Sequence, residues 1–275
     1  MDAKTKPPPT SAALPTIRLK SIALPVEHGS WGFLFEPIVA GLAIAFSLGG
    51  MWIALMTIGA FLARQPLKVL IIDRLGMKVH DRAKAALLFL AAYGTVFVAG
   101  LIGTVASVGW RPLLPFVFVL PFAVYQIYCD ASRKGRQLVA ELIGAVSISA
   151  SIAAIVFSDG RPWGVAVALW LIFVLRLIPS ILYVRNRLLL EKGKDYSRIV
   201  PTVAHFTALT IVTILSYLRL APALTVFAML ILLWRAIAGL APGRRKLRAV
   251  QIGVLEIIYG IVTVLSVIIG YYTGV

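Results

Sequence analysis

Arg64 and Lys68 stand four residues apart in the strongly apolar stretch "FLARQPLKVLII". On a helix that spacing puts both on one face. Two neighbouring cations can clamp a phosphate or a carboxylate, the arginine through paired N–H donors. Glu36, Glu141, Arg176, His205, Arg235 and Glu256 also fall inside apolar segments. An ionisable group in a membrane interior is costly and by default marks a function. Arg176, Ser180, Tyr183 and Arg187 follow at steps of four, three and four, so they share a helix face. In "ELIGAVSISAS", Glu141, Gly144, Ser147 and Ser151 form a stripe whose small residues either let helices pack closely or leave room for an apolar ligand.

The stretch "PVEHGSWGFLFEP" adds Glu27, His28 and Glu36 around two glycines. A helix start there favours an anion, and a histidine beside a glutamate can move protons near neutral pH. Plainer readings exist for all of these residues. Long basic side chains can snorkel to the interface, acids and bases can pair to lock helices, and Trp31 can serve as an interfacial anchor.

These residues need elements that hold them in lipid. The 275-residue chain is 60% hydrophobic and 14% charged, with a mean hydropathy of +0.93; a soluble domain carries about 25% charged residues. Nine apolar segments are long enough to be candidate spans: 29–48, 51–72, 84–108, 112–129, 137–158, 163–185, 199–218, 221–240 and 250–273. Turn signals separate them, among them "LGG" before Met51, "GWRP", "DGRP" and "APGRRK". Of the 27 Lys and Arg residues, only Arg111, Arg161 and Arg219 fall on one side of this layout. That bias places the N-terminus in the cytoplasm and the C-terminus outside, as in a bacterial inner (plasma) membrane.

The intramembrane charges all lie toward the cytoplasmic ends of their segments, which implies one polar cavity open to that side. The expected fold is therefore all-α, a polytopic bundle of about nine transmembrane helices around a cytoplasm-facing cavity. Residues 1–24 read as a disordered, basic, Pro-rich tail with a short amphipathic end, not as a cleavable signal peptide; residues 25–275 read as one transmembrane domain. The net charge of +16 suits loops facing anionic lipid better than nucleic acid. A single cysteine, Cys129, excludes an internal disulfide and a cysteine metal cluster, and His28, His80 and His205 show no metal spacing.

Four blocks, "EHGSWGFLFEP", "RQPLKVLIIDR", "RQLVAELIGA" and "RLIPSILYVRNRLLLEKG", resemble the YwiC-like family of bacterial membrane proteins. More distantly the chain is similar to the UbiA superfamily of intramembrane prenyltransferases. That similarity implies nine helices and a cytoplasmic active site between the second-to-third and sixth-to-seventh connections. The superfamily holds Mg²⁺ and a prenyl diphosphate with two acidic motifs. Here Gln65 takes the Asn place of the first motif and Asp73 its last Asp, but Pro66 and Val69 replace the other two. The second motif's place offers Ser180, Tyr183, Arg185 and Arg187.

What the resemblance implies is a metal-poor site for an isoprenoid diphosphate or another anionic lipid. Arg64, Gln65, Lys68, Asp73, Arg176, Ser180, Tyr183, Arg185 and Arg187 would bind the substrate. Asp73 and Asp81 would hold a residual Mg²⁺, and Glu36, Glu141 or His28 would transfer a proton. A non-catalytic lipid-binding or transport protein on the same scaffold is the alternative, and a structural membrane subunit with an internally paired charge layer is a third.

Overall fold

With no water in the bilayer core, a spanning backbone must satisfy its own N–H and C=O groups, and helices do so locally. The computed structural model describes residues 19–25, 28–75, 81–135 and 137–274. Among them, each apolar segment becomes a helix: α2 (His28–Ile44), α3 (Leu48–Leu75), α4 (Asp81–Val108), α5 (Leu114–Ala131), α6 (Leu138–Ser158), α7 (Trp163–Glu191), α8 (Ile199–Tyr217), α9 (Leu224–Gly239) and α10 (Ala249–Thr273). A short α1 (Leu19–Ala23) precedes them, at the amphipathic end expected for the tail. The tail itself, residues 1–18, lies outside the described residues. Seven helices, α3 to α8 and α10, are long and apolar enough to cross a membrane; α2 and α9 are shorter apolar helices. No strand occurs among the described residues. The protein is an all-helical, polytopic membrane bundle.

Two of the boundary differences from the sequence reading have a visible cause. "LGG" is not a turn before Met51 but the first turn of α3. Ser47 explains this: its hydroxyl accepts the Gly50 N–H at 3.0 Å, as a helix N-cap does. The other difference is that α7 runs on to Glu191, six residues beyond the expected end at 185. The extension puts Arg187 one turn from Glu191, with a 2.9 Å ion pair between them.

The closest pairing is α3 with α4. Gly59 meets the backbone of Phe97 and Gly100 that of Met56, so small residues let the two helices touch. At the centre, α6 packs against α2, α3, α5 and α7, while α10 closes on α2 and α9. The largest apolar cluster, with Ile44, Ile152, Leu169, Phe173, Val212 and Val267, fills the half of the bundle away from the basic connections. The intramembrane charges all sit at the other, basic end.

Candidate functional site

Two cavities border the Arg64 side chain. The first, about 450 Å³, lies between α3, α4, α5 and α6. It follows α3 from Met56 to Ile71, a run of about 22 Å at 1.5 Å per residue. Ala60, Phe97, Phe116, Leu120 and Ala123 make its walls apolar, and Arg64, Lys68, Gln126 and Asp130 form its polar end. The second, about 330 Å³, lies between α2, α6, α7 and α10 and is charged: Glu36, Glu141, Arg176, Arg185 and Glu256 line it. Arg64, Gln126, Gly144 and Ile148 line both, so the cavities share one wall. Gly144 leaves space there; a β-carbon on it would stand 3.0 Å from the Gln126 side-chain amide.

In that wall Arg64 grips Asp130 with two N–H groups, Nε at 2.7 Å and Nη2 at 3.2 Å. Lys68 Nζ meets the same carboxylate at 3.4 Å. With its amide oxygen turned toward Arg64, Gln126 accepts from Nη2 at 2.6 Å and donates to the Ala140 carbonyl. Two cations thus share one acid and leave an excess positive charge at the cavity end. Arg64 and Lys68 are 27% and 28% exposed, while Asp130 is 3% exposed.

A second network is buried and balanced. Arg176 Nε pairs with Glu36 at 2.9 Å, and Arg176 Nη2 donates to the Glu256 carbonyl at 3.0 Å. Arg235 donates to both Glu256 carboxylate oxygens at 2.6 and 2.7 Å and to Ser180 Oγ at 3.2 Å. Its Nη2 also stands 3.0 Å from His205 Nε2. His205 Nδ1 lies 2.7 Å from the Pro201 carbonyl, so the ring donates there and accepts from Arg235. The Arg235 guanidinium stacks 4.4 Å from the Tyr183 ring centre and 5.0 Å from that of Tyr259. This network joins α2, α7, α8, α9 and α10.

The sequence-derived residues therefore divide. Glu36, Glu141, Arg64, Arg176, Ser180 and Arg185 come together around the charged cavity, with Arg185 donating to Glu141 at 2.9 Å near the mouth. Lys68 lines the apolar cavity with Arg64. Gln65, Asp73, Tyr183 and Arg187 line neither. Gln65 donates to the Ser21 carbonyl at 2.9 Å and ties α1 to α3. Asp73 meets Arg82 across the α3–α4 pair. Arg187 donates to the Arg245 carbonyl at 2.6 Å, under the connection between α9 and α10. The side chains of His28 and Asp81 lie outside the described residues.

Asp130 and Gln126 were not among the expected site residues. Their i, i+4 spacing on α5 matches that of Arg64 and Lys68 on α3, and that was the available signal. Among the described residues, no three His, Cys, Asp or Glu side chains gather as metal ligands. With Asp73 facing Arg82 and Asp130 held by two cations, the residues present do not fit the paired Mg²⁺ sites that the UbiA resemblance implies.

Residues 24–156, a little under half of the chain, match the model of the YwiC-like protein family, which bears out that resemblance over this part. The match takes in every residue that lines the apolar cavity. Arg176, Ser180, Arg185 and Glu256 of the charged cavity lie beyond it. No curated protein and no solved structure matches the chain.

Proposed function

We propose that this chain, YwiC-like over residues 24–156, binds a polar-headed membrane lipid or isoprenoid. The apolar chain lies in the cavity along α3, and the anionic group meets Arg64 and Lys68. One observation carries this reading: an apolar cavity, lined along α3 for about 12 Å from Met56 to Arg64, meets there a wall of Arg64 and Gln126 shared with a charged cavity. Such a pair of spaces has the division of an amphiphile, a long tail and a compact polar head. The excess cation of the Arg64–Lys68–Asp130 group supplies charge for a phosphate without a metal. The basic end then faces the cytoplasm of a bacterial inner membrane, with the N-terminus inside, following the bias of the loops.

A second reading, a divergent UbiA-like transferase, draws on the charged cavity beside the shared wall. An acceptor held there would face Glu141 and Glu36, which could take its proton as it bonds to the prenyl C1, the C1–O bond breaks and the diphosphate leaves held by Arg64 and Lys68. Without turnover, the same arrangement is a lipid-binding or transport protein.

Calorimetry with geranylgeranyl diphosphate tests the binding, with and without Mg²⁺. Wild type is expected to bind in either condition. Ala60→Trp, which fills the apolar cavity without touching an ion pair, is expected to abolish binding. Arg64→Ala is expected to weaken it about tenfold or more, the loss of a charge-assisted contact. Binding indifferent to both changes would overturn the reading. Turnover with a panel of acceptors would then separate transferase from binding protein.

A further inference from the structure

The charged cavity has an order within it. Near its mouth stand Arg64, 27% exposed, and the Arg185–Glu141 pair, 39% and 33% exposed. Its deep wall is formed by Glu36 and Glu256, 9% and 15% exposed, with Arg176, 1% exposed, beside them and Arg235, 3% exposed, behind. Arg235 does not line the cavity at all. Among the lining groups, cations therefore outnumber acids at the mouth and acids outnumber cations at the deep wall.

Glu36 is the sharper observation. It is more than nine-tenths buried and lines the cavity, and its one partner is the Arg176 Nε ion pair. Its Oε2, 2.9 Å from Arg176 Nε, has no well-aligned hydrogen bond among the described residues, although a carboxylate has about four acceptor positions. A buried acceptor left short of donors is costly. The helices are shaped around it: a β-carbon on Gly32 would stand 3.2 Å from Glu36 Oε1, and one on Gly260 would collide with that oxygen. The site is built to keep a carboxylate at that point and supplies few protein donors for it.

We infer that the charged cavity takes a head bearing both a phosphate and an ammonium, of the phosphoethanolamine kind. The phosphate lies at Arg64 and Arg185, and the ammonium reaches Glu36 and Glu256. This rests on the proposed amphiphile site and names its head. Charge order ranks the simpler choices below this head. A diphosphate pushed to the deep wall would meet two carboxylates, and a neutral head would leave the excess cation at the mouth unmatched. A quaternary ammonium carries charge but no N–H, so it cannot supply the donors that Glu36 lacks.

Native mass spectrometry of the detergent-purified protein tests this with equimolar phosphatidylethanolamine, phosphatidylcholine and phosphatidylglycerol. Soluble glycerophosphoethanolamine serves as competitor. Wild type is expected to prefer phosphatidylethanolamine about tenfold over the other two, the value of a charge-assisted hydrogen bond. Glu36→Gln is expected to bring that lipid down to the level of phosphatidylglycerol. Competition by the soluble head also supports the inference. If the soluble head binds while no lipid does, the head chemistry stands and the ligand is a free zwitterion. Equal binding of the three lipids by wild type would overturn the inference and leave the amphiphile site standing. No binding of any lipid or of the soluble head would overturn both. The wild-type comparison decides even if Glu36→Gln fails to fold.

Discussion

The two arginine groups of this bundle have the same chemistry and opposite settings. Arg64, with Lys68 and Asp130, is partly exposed, carries an excess cation and borders both cavities. Arg176 and Arg235, with Glu36 and Glu256, are buried and balanced, and they cross-link helices far apart in sequence. Exposure decides what each can do. A cation reachable from a cavity can exchange its carboxylate for a ligand's phosphate. A cation packed behind its partner cannot, and its worth is in holding helices and fixing which way the carboxylate faces. Intramembrane charge alone does not separate these cases, since both groups look equally costly in the sequence.

The largest effect should come from breaking the buried group. Arg176→Ala leaves buried Glu36 without its ion-pair partner, while Glu256 keeps Arg235, and is expected to cost about 3–5 kcal/mol, read as a large fall in thermal stability in detergent. Arg64→Ala should cost less, about 1–3 kcal/mol, because Lys68 still serves Asp130. Its mark should be the loss of stabilisation by added amphiphile. Ala60→Trp should leave the unliganded protein within about 1 kcal/mol of wild type, since it fills existing space, and should also abolish the ligand's stabilisation. The smallest effect belongs to Gln65→Ala. It removes an exposed hydrogen bond to Ser21, so it should cost below about 1 kcal/mol and leave ligand binding unchanged. If Gln65→Ala impaired binding as Arg64→Ala does, the division between cavity-facing and packing residues on α3 would fail.

The spans were legible because hydropathy and loop charge report lipid directly. Ser47 shows where that reading fell short: a cap one residue before "LGG" starts α3 earlier than the glycines suggest. The placement of charges near one end was legible too, and so was the shared face of Arg64 and Lys68. Their partner was not. Asp130 stood at the end of its segment, where an acid reads as loop, and only the approach of α5 to α3 reveals it. The face containing Arg176, Ser180, Tyr183 and Arg187 was real, but its members serve different neighbours. Arg176 and Ser180 reach the cavity, Tyr183 stacks on Arg235, and Arg187 turns toward Glu191 and Arg245. Helical periodicity assigns a face; which helix covers each turn of it is a tertiary fact.

The most direct measurement is the thermal shift caused by geranylgeranyl diphosphate and by phosphatidylethanolamine in wild type, Ala60→Trp and Arg64→Ala. One amphiphile site across two cavities requires a shift in wild type with at least one of these ligands, absent when the tail space is filled and strongly reduced when Arg64 is removed. No shift with either ligand in a folded wild-type protein, or the same shift in all three proteins, would contradict it.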